Sequence, residues 1–244
     1  MDTLAYQSLR DLQDEHWWFV GRRKIIRKIL ERHIPRGPEI EILEAGCGYG
    51  GNLAMLADFG RVSAFEFDKG AREFAKELSG VDVKAGELPQ NLSQLSSSTY
   101  DLIVMLDVLE HITEDLMSLK VLRDHLVKDG RILITVPAHQ WLWSGHDEIH
   151  HHKRRYSRET LGDCLVDAGL EPVEMRYFNT FLFPIAVAQR LVLHSRKRTA
   201  SVDRLPAPAF NSLLANVFAS ERAFLGKFAM PFGLSLYAVA KRAK

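Results

Sequence analysis

The sequence predicts an α/β fold: a doubly wound, seven-stranded, mostly parallel sheet with helices on both faces, N-terminal helices in front of it and a helical insertion before the last strand. Three observations predict it. From Ile40 onwards, short apolar runs alternate with stretches of helical periodicity. Asp101 to Leu106 is a nearly continuous apolar run, as expected of a strand buried on both faces. A glycine-rich turn, Gly46 to Gly51, separates the first strand from the helix after it.

Taken in order, Leu9 to His33 reads as a helical lead-in, with Ile25, Ile26, Ile29 and Leu30 at helical spacing and Pro35-Arg36-Gly37-Pro38 as its stop. Ile40 to Glu44 is a short strand. Leu53, Leu56, Ala57 and Phe59 belong to a helix ending at Gly60, and Val62 to Phe67 is the second strand. Lys69 to Leu78 is a helix with Ala71, Phe74, Ala75 and Leu78 on one face, and Val81 to Ala85 is a short third strand. Glu114 to Leu126 is helical; Asp129-Gly130 turns the chain into a strand at Ile132 to Val136. Ser157 caps a helix whose Leu161, Cys164, Leu165 and Ala168 form one stripe, closed by Gly169. Val173 to Phe178 and Leu234 to Val239 are the last two strands. Thr180 to Gly233 is too long for a hairpin loop and reads as an inserted helical element.

The expected organisation is therefore a helical lid over 1–38, a ligand-binding core over 39–179, a helical insertion over 180–233 and a last strand and tail over 234–244. A formal net charge of +1 gives no global field for nucleic acid. Two cysteines, Cys47 and Cys164, in no metal-ligand spacing, fit a reducing cytoplasm. The polar start is no signal peptide, and no uncharged apolar run is long enough to span a bilayer.

In an open α/β sheet, ligands bind beyond the carboxyl ends of the strands. After the first strand stands Glu44-Ala45-Gly46-Cys47-Gly48-Tyr49-Gly50-Gly51-Asn52, where glycines allow a sharp turn and close approach of a ligand. Glu66 follows the second strand, 20 positions beyond Gly46, about the offset at which a carboxylate reaches ribose hydroxyls. A dinucleotide would suit the same pair of features. However, the pattern is G-x-G-x-G-G rather than G-x-G-x-x-G, and Glu44 beside the loop would repel a pyrophosphate. Acidic walls suit a cationic ligand instead.

Three segments in register carry a resemblance: Ile42 to Gly50, Tyr100 to Ile112 and Leu126 to Ile134. Together they resemble the class I S-adenosylmethionine-dependent methyltransferases, and most nearly the small-molecule type related to the ubiquinone-biosynthesis O-methyltransferases. The resemblance implies S-adenosylmethionine as cofactor, a Rossmann-like methyltransferase fold, and methyl transfer to a small molecule, more at oxygen than nitrogen. It also implies positions. Glu44, Gly46 and Gly48, with Ala45 and Cys47 in the same loop, would frame the methionine portion, and Glu66 would hold the ribose with Phe67 against the adenine. Leu88 would lie at the adenine edge, and Leu106, Asp107 and Val108 would complete the pocket. Relatives often carry an acid where this chain has Lys84, so the resemblance implies either that Glu87 takes over the contact to the adenine amino group or that backbone alone holds the adenine. The rival readings are a dinucleotide-dependent oxidoreductase and a catalytically silent partner subunit.

Methyl transfer from a sulfonium needs alignment and often removal of one proton. Cys47, inside the glycine turn, reads as a packing residue. His111, just past the fourth strand, is the candidate base, against a packing role. Asp107, Glu110 and His111 form a D-x-x-E-H cluster that could take Mg²⁺, although cofactor binding or helix capping explains the same carboxylates; no metal ligand is assigned. The candidate acceptor contacts are Trp17, Trp18, Arg22, His139, His152, Arg155 and Tyr156, with Arg154 and Arg155 a possible clamp for an anion against a solvated basic loop. Trp17, Trp18 and Phe19 read as a lid or as an anchor of the first helix. Phe181 to Ile185 beside His194 to Arg198 would suit peripheral membrane contact, against core packing or a dimer interface, so both monomer and homodimer are expected forms.

Overall fold

The computed structural model describes residues 10–92, 95, 99–195 and 205–243. Its strands are β1 (Glu41–Ala45), β2 (Arg61–Glu66), β3 (Val83–Ala85), β4 (Tyr100–Leu106), β5 (Leu126–Pro137), β6 (Leu170–Phe178) and β7 (Ser235–Arg242). They form one seven-stranded sheet in the order β3-β2-β1-β4-β5-β7-β6. All pairs are parallel except those of β7, which runs antiparallel to both β5 and β6. The chain leaves β1 outwards to β2 and β3, then crosses back to β4 on the other side, so strand order reverses between β1 and β4. That reversal opens the crevice in which such sheets bind ligands.

The helices are α1 (Trp17–His33), α2 (Leu53–Ala57), α3 (Lys69–Ser79), α4 (Asp115–Asp124), α5 (Gly145–Ile149), α6 (Arg158–Asp167), α7 (Phe183–Ser195) and α8 (Pro208–Ser220). Alternate residues of β1 and β4 feed two separate cores. Leu43, Ile103 and Met105 pack with Leu119 and Leu122 of α4 and Leu161 and Leu165 of α6. Ile42, Leu102 and Val104 pack on the opposite face with Ile25, Ile26 and Ile29 of α1 and Phe218 of α8. Burial on both faces is why the fourth strand shows no polar alternation. Each fully buried isoleucine of α1 contributes about 1.5–3 kcal/mol of transfer energy.

Local signals set the helix ends. Asp68 accepts a hydrogen bond from the Ala71 amide at 2.8 Å to start α3, which Gly80 closes in the left-handed region at φ 71°. Ser157 and Thr160 form a capping box on α6. The lead-in is not one helix from Leu9: α1 begins at Trp17, with His16 as its N-cap and a turn before it. β5 is longer than its apolar run, because Asp129 and Gly130 lie within the strand beside an irregularity in its pairing with β4. Within the expected insertion the described residues form α7 and α8, and α8 packs on α1 through Trp17 and Phe218, whose ring centroids are 6.0 Å apart. Among the described residues no helix is long and apolar enough to cross a membrane.

Candidate active site

A cavity of about 1450 Å³ opens at the carboxyl ends of β1, β2, β4 and β5. Its floor on one side is the turn after β1. Gly48 has φ 54°, and a Cβ built on it would meet no atom within 4 Å, so the backbone itself faces open cavity space. Gly46, at φ 75°, instead packs under Val108, whose methyls lie 3.0 Å from its would-be Cβ. The two glycines thus do different work: one makes the bend, the other leaves room for a ligand.

Glu66, at the end of β2, is buried. Its carboxylate accepts from the Gly48 amide at 2.8 Å and the Asp68 amide at 2.9 Å, which ties the second strand to the glycine turn. Each carboxylate oxygen has two lone pairs, so the group still has acceptor capacity towards a vicinal diol. Phe67 beside it is 70% exposed, a free aromatic face at the rim. Glu87 and Leu88 line the same end of the cavity. Glu44 lies directly beneath the turn at 1% exposure rather than in the wall. Asn52 donates to its Oε1 at 2.8 Å, while Oε2 is buried without a hydrogen-bond partner. Burial pushes this carboxyl up to about 7, against the pull of Asn52 and Arg22. Ala45 is fully buried in the core, and Cys47 packs with Leu53, Ala64, Ala75 and Val83. Burial, and then Glu44, push the Cys47 thiol far up, which removes it as a nucleophile.

At the end of β4, Leu106, Asp107 and Val108 line the cavity. Asp107 sits at φ 55° with its amide bonded to the Thr135 carbonyl at 3.0 Å. Arg22 forms an ion pair with its carboxylate, donates to Thr135 Oγ1 at 3.1 Å, and lies over the Trp18 ring at 4.8 Å. Arg22 shares the buried face of α1 with Ile25, Ile26 and Ile29, so helical periodicity carries it under the site. It is a strut between α1 and β4 as much as a wall residue. Trp17 and Trp18 both line the cavity and both pack on the α1 side of the core, so lid and anchor are one arrangement.

Across from the glycine turn stands a cluster of histidines. Glu110 and His111 form a short helical turn after β4, and the Lys153 amide donates to the Glu110 carbonyl at 2.7 Å. That bond brings the loop after β5 against the loop after β4, and sets the His111 and His152 rings 4.6 Å apart. His146 and His150 stand 4.1 Å from each other and about 6 Å from His152. Burial, with His152 and His150 next, lowers His111 to about 3, so its ring is neutral. Glu110 is buried and shifted upward by burial and by Asp107.

Some expected contacts are elsewhere. Tyr156 does not line the cavity; its hydroxyl donates to Asp115 Oδ2 at 2.8 Å on the α4 side, where Arg154 also pairs. His139 does not line it either, and stacks on Tyr177 with centroids 4.9 Å apart. Arg155 is at the wall but is no free clamp, since Asp147 takes its Nε at 2.7 Å and Nη2 at 3.0 Å. Nor does the D-x-x-E-H spacing gather its members: Asp107 is taken by Arg22, and His152 replaces it beside Glu110 and His111. The side chains of the basic cluster His194 to Arg198 lie outside the described residues. Sequence reading missed Gln13, Trp141, Trp143, His146, His150, Asn179 and Arg190, all in the wall. His146 and His150 belong to the histidine-rich run His146 to His152, whose residue order does not show which members turn inwards.

A reversed-order α/β sheet with an open glycine turn facing a strand-end carboxylate defines a nucleoside-binding fold of the methyltransferase type. Residues 18–175 match the family model described as "Methyltransferase domain", and the chain belongs to that family. It is 27% identical over 176 residues to a "Probable S-adenosylmethionine-dependent methyltransferase" of Mycobacterium tuberculosis, covering 69% of this chain and 61% of that one. The chain thus spans somewhat under two thirds of that relative's length. Among solved structures, a TehB-like SAM-dependent methyltransferase of Corynebacterium glutamicum superposes with TM-score 0.56 at 20% identity, covering 98% and 96% of the two chains. The N-methyltransferase NodS of Bradyrhizobium japonicum, in complex with S-adenosyl-L-homocysteine, superposes with TM-score 0.58 at 14% identity over 95% and 91%. These likenesses establish the seven-stranded methyltransferase fold.

Proposed function

We propose that this chain transfers a methyl group from S-adenosylmethionine to a hydroxyl oxygen of a small-molecule acceptor with an apolar body. The observation that carries this reading is the empty space over the Gly48 backbone, flanked by the Glu66 carboxylate and continuous with a histidine- and tryptophan-lined chamber. A single drug-sized ligand occupies roughly 300–1,000 Å³. The cavity of about 1450 Å³ is larger, with room for a nucleoside and an acceptor side by side.

The residues fit the cofactor. The orphaned, buried Oε2 of Glu44 supplies negative potential beneath the turn, suited to an ammonium and a sulfonium. Glu66 accepts from the ribose hydroxyls, and Phe67, Glu87 and Leu88 flank the base. When bound, S-adenosylmethionine supplies an electrophilic methyl on a neutral leaving group. The chain supplies alignment and a dry chamber. Trp17, Trp18, Trp141 and Trp143 exclude water and hold the apolar body of the acceptor. His111, neutral and facing the chamber, accepts a hydrogen bond from the acceptor hydroxyl and orients its lone pair. A ring held at about 3 is a better orienting group than a proton acceptor.

Calorimetric titration with S-adenosylhomocysteine and with NAD tests the cofactor, and a labelled-methyl screen over cell extract tests the acceptor. Saturable binding of S-adenosylhomocysteine and label in an ether or ester product are expected. Binding of NAD alone would sink the reading, and label recovered only on nitrogen would correct the acceptor atom.

A further inference from the structure

We propose that Glu110, His111 and His152 form a binding site for a divalent first-row transition metal ion, open to the acceptor chamber. One ligand atom from each of the three lies within 4.8 Å of the other two. Metal–ligand bonds of about 2.0–2.2 Å place such atoms roughly 3–4 Å apart, so small side-chain rotations close the set. Glu110 is 1% exposed and its Oε2 is buried without a hydrogen-bond partner, a costly arrangement that a cation relieves.

The surroundings orient the His152 ring as metal sites do. His152 Nδ1 is bonded to Asp147 Oδ1 at 2.9 Å, leaving Nε2 as the ligand atom. Asp147 is itself fixed by Arg155 and by the Ser144 amide at 2.8 Å. The His111 ring stands edge-on to that of His152 at 4.6 Å, with one nitrogen among the three gathered ligand atoms. A carboxylate or carbonyl on the far nitrogen is the usual outer support of a metal-bound imidazole. The bond from the Lys153 amide to the Glu110 carbonyl, at 2.7 Å, holds the two loops in this relation.

Two imidazoles and one carboxylate select zinc, iron or cobalt over magnesium, which prefers oxygen donors. This donor set therefore disfavours the Mg²⁺ expected from Asp107, Glu110 and His111. Three protein ligands leave open positions facing the chamber. With the ion in place, His111 is its ligand and the acceptor hydroxyl binds the ion instead of bonding to His111 directly; the hydroxyl then loses its proton to solvent at lower pH than when free, because the ion stabilises the oxyanion. The oxyanion then attacks the methyl: the O–CH₃ bond forms as the S–CH₃ bond breaks, and sulfur leaves as a neutral thioether. The site stands on geometry alone; this role for it rests on the methyl-transfer reading.

The test uses the untagged full chain, stripped with a chelator and titrated with Co²⁺ by equilibrium dialysis and visible absorption. One Co²⁺ per chain with ligand-field bands of nitrogen ligation is expected. Binding should weaken more than about tenfold in His152→Ala and in Glu110→Gln, and be unchanged in His151→Ala, whose residue is exposed and outside the cluster. Absence of saturable binding to the wild-type chain, or binding indifferent to both ligand substitutions, overturns the site. S-adenosylhomocysteine affinity measured on the same samples separates the two readings. Homocysteine nucleoside bound without Co²⁺ overturns the metal site and keeps the methyltransferase; Co²⁺ bound without it keeps the site and removes the role.

Discussion

Arg22 of α1 and Asp107 at the carboxyl end of β4 form an ion pair inside the protein, their side chains 5% and 20% exposed. The guanidinium also reaches Thr135 of β5 and lies over Trp18. One side chain thus joins the N-terminal helix to the two central strands under the chamber floor. Breaking a buried pair by removing one partner leaves a charge uncompensated and costs about 3–5 kcal/mol. Arg22→Met is expected to lower the urea-unfolding free energy by about 3 kcal/mol, and the double variant with Asp107→Asn to recover part of it. Asparagine tolerates the positive φ of position 107. Additive losses would show that the two side chains are energetically independent.

Gly48→Ala separates folding from binding. The left-handed backbone at φ 54° makes alanine cost about 1–2 kcal/mol, yet its methyl clashes with nothing in the protein. The chain is expected to fold, with S-adenosylhomocysteine binding reduced at least about tenfold because the methyl occupies ligand space. Wild-type affinity in this variant would place the nucleoside elsewhere.

On the proposed ribose role, Glu66→Ala removes two charge-assisted hydrogen bonds to the sugar, each worth about 1.5–3 kcal/mol. Affinity for S-adenosylhomocysteine should fall about 100-fold or more by calorimetry. Urea unfolding checks how much of the loss comes from freeing the Gly48 and Asp68 amides. Unaltered affinity would refute the ribose role.

On the proposed cofactor pose, Glu44 makes binding depend on pH. Burial sets its folded-state value at about 7, above that of the unfolded chain. In the free protein its contribution to stability is therefore fully present below the unfolded value and lost as pH rises through 7. An ammonium above it favours the ionised form, so S-adenosylhomocysteine affinity should rise between pH 6 and 8, by up to about tenfold. Glu44→Gln should flatten that rise, and an identical slope in the variant would assign it to another group.

Glu174 of β6 behaves in the opposite sense. Burial opposes its ionisation, but hydrogen bonds from Arg32, His33 and Tyr237 outweigh this and hold it at about 2. Its contribution to stability is present above the unfolded value and lost as pH falls towards 2. Thermal unfolding of Glu174→Gln should show a shallower loss of stability below pH 4.5 than the wild-type chain. These contacts tie the end of α1 to the sheet edge, and none of the four side chains lines the cavity.

Much of this was legible in residue order. Strand–helix alternation gave the layered sheet, the apolar run at 101–106 gave its doubly buried centre, and Gly46, Gly48 and Glu66 marked a turn and a strand end that line the cavity, because those features follow from local backbone freedom and local burial. The acceptor end was not legible. His152 lies 41 positions from His111, and only the pairing of two loops across adjacent parallel strands sets their rings together. The same packing turned Tyr156 towards Asp115 and gave Arg155 to Asp147, although neighbouring positions in the tract point into the chamber. A sequence fixes which side chains a turn or strand presents. Which of them share a space is decided by long-range packing, through buried charges that must find partners and apolar faces that must find each other.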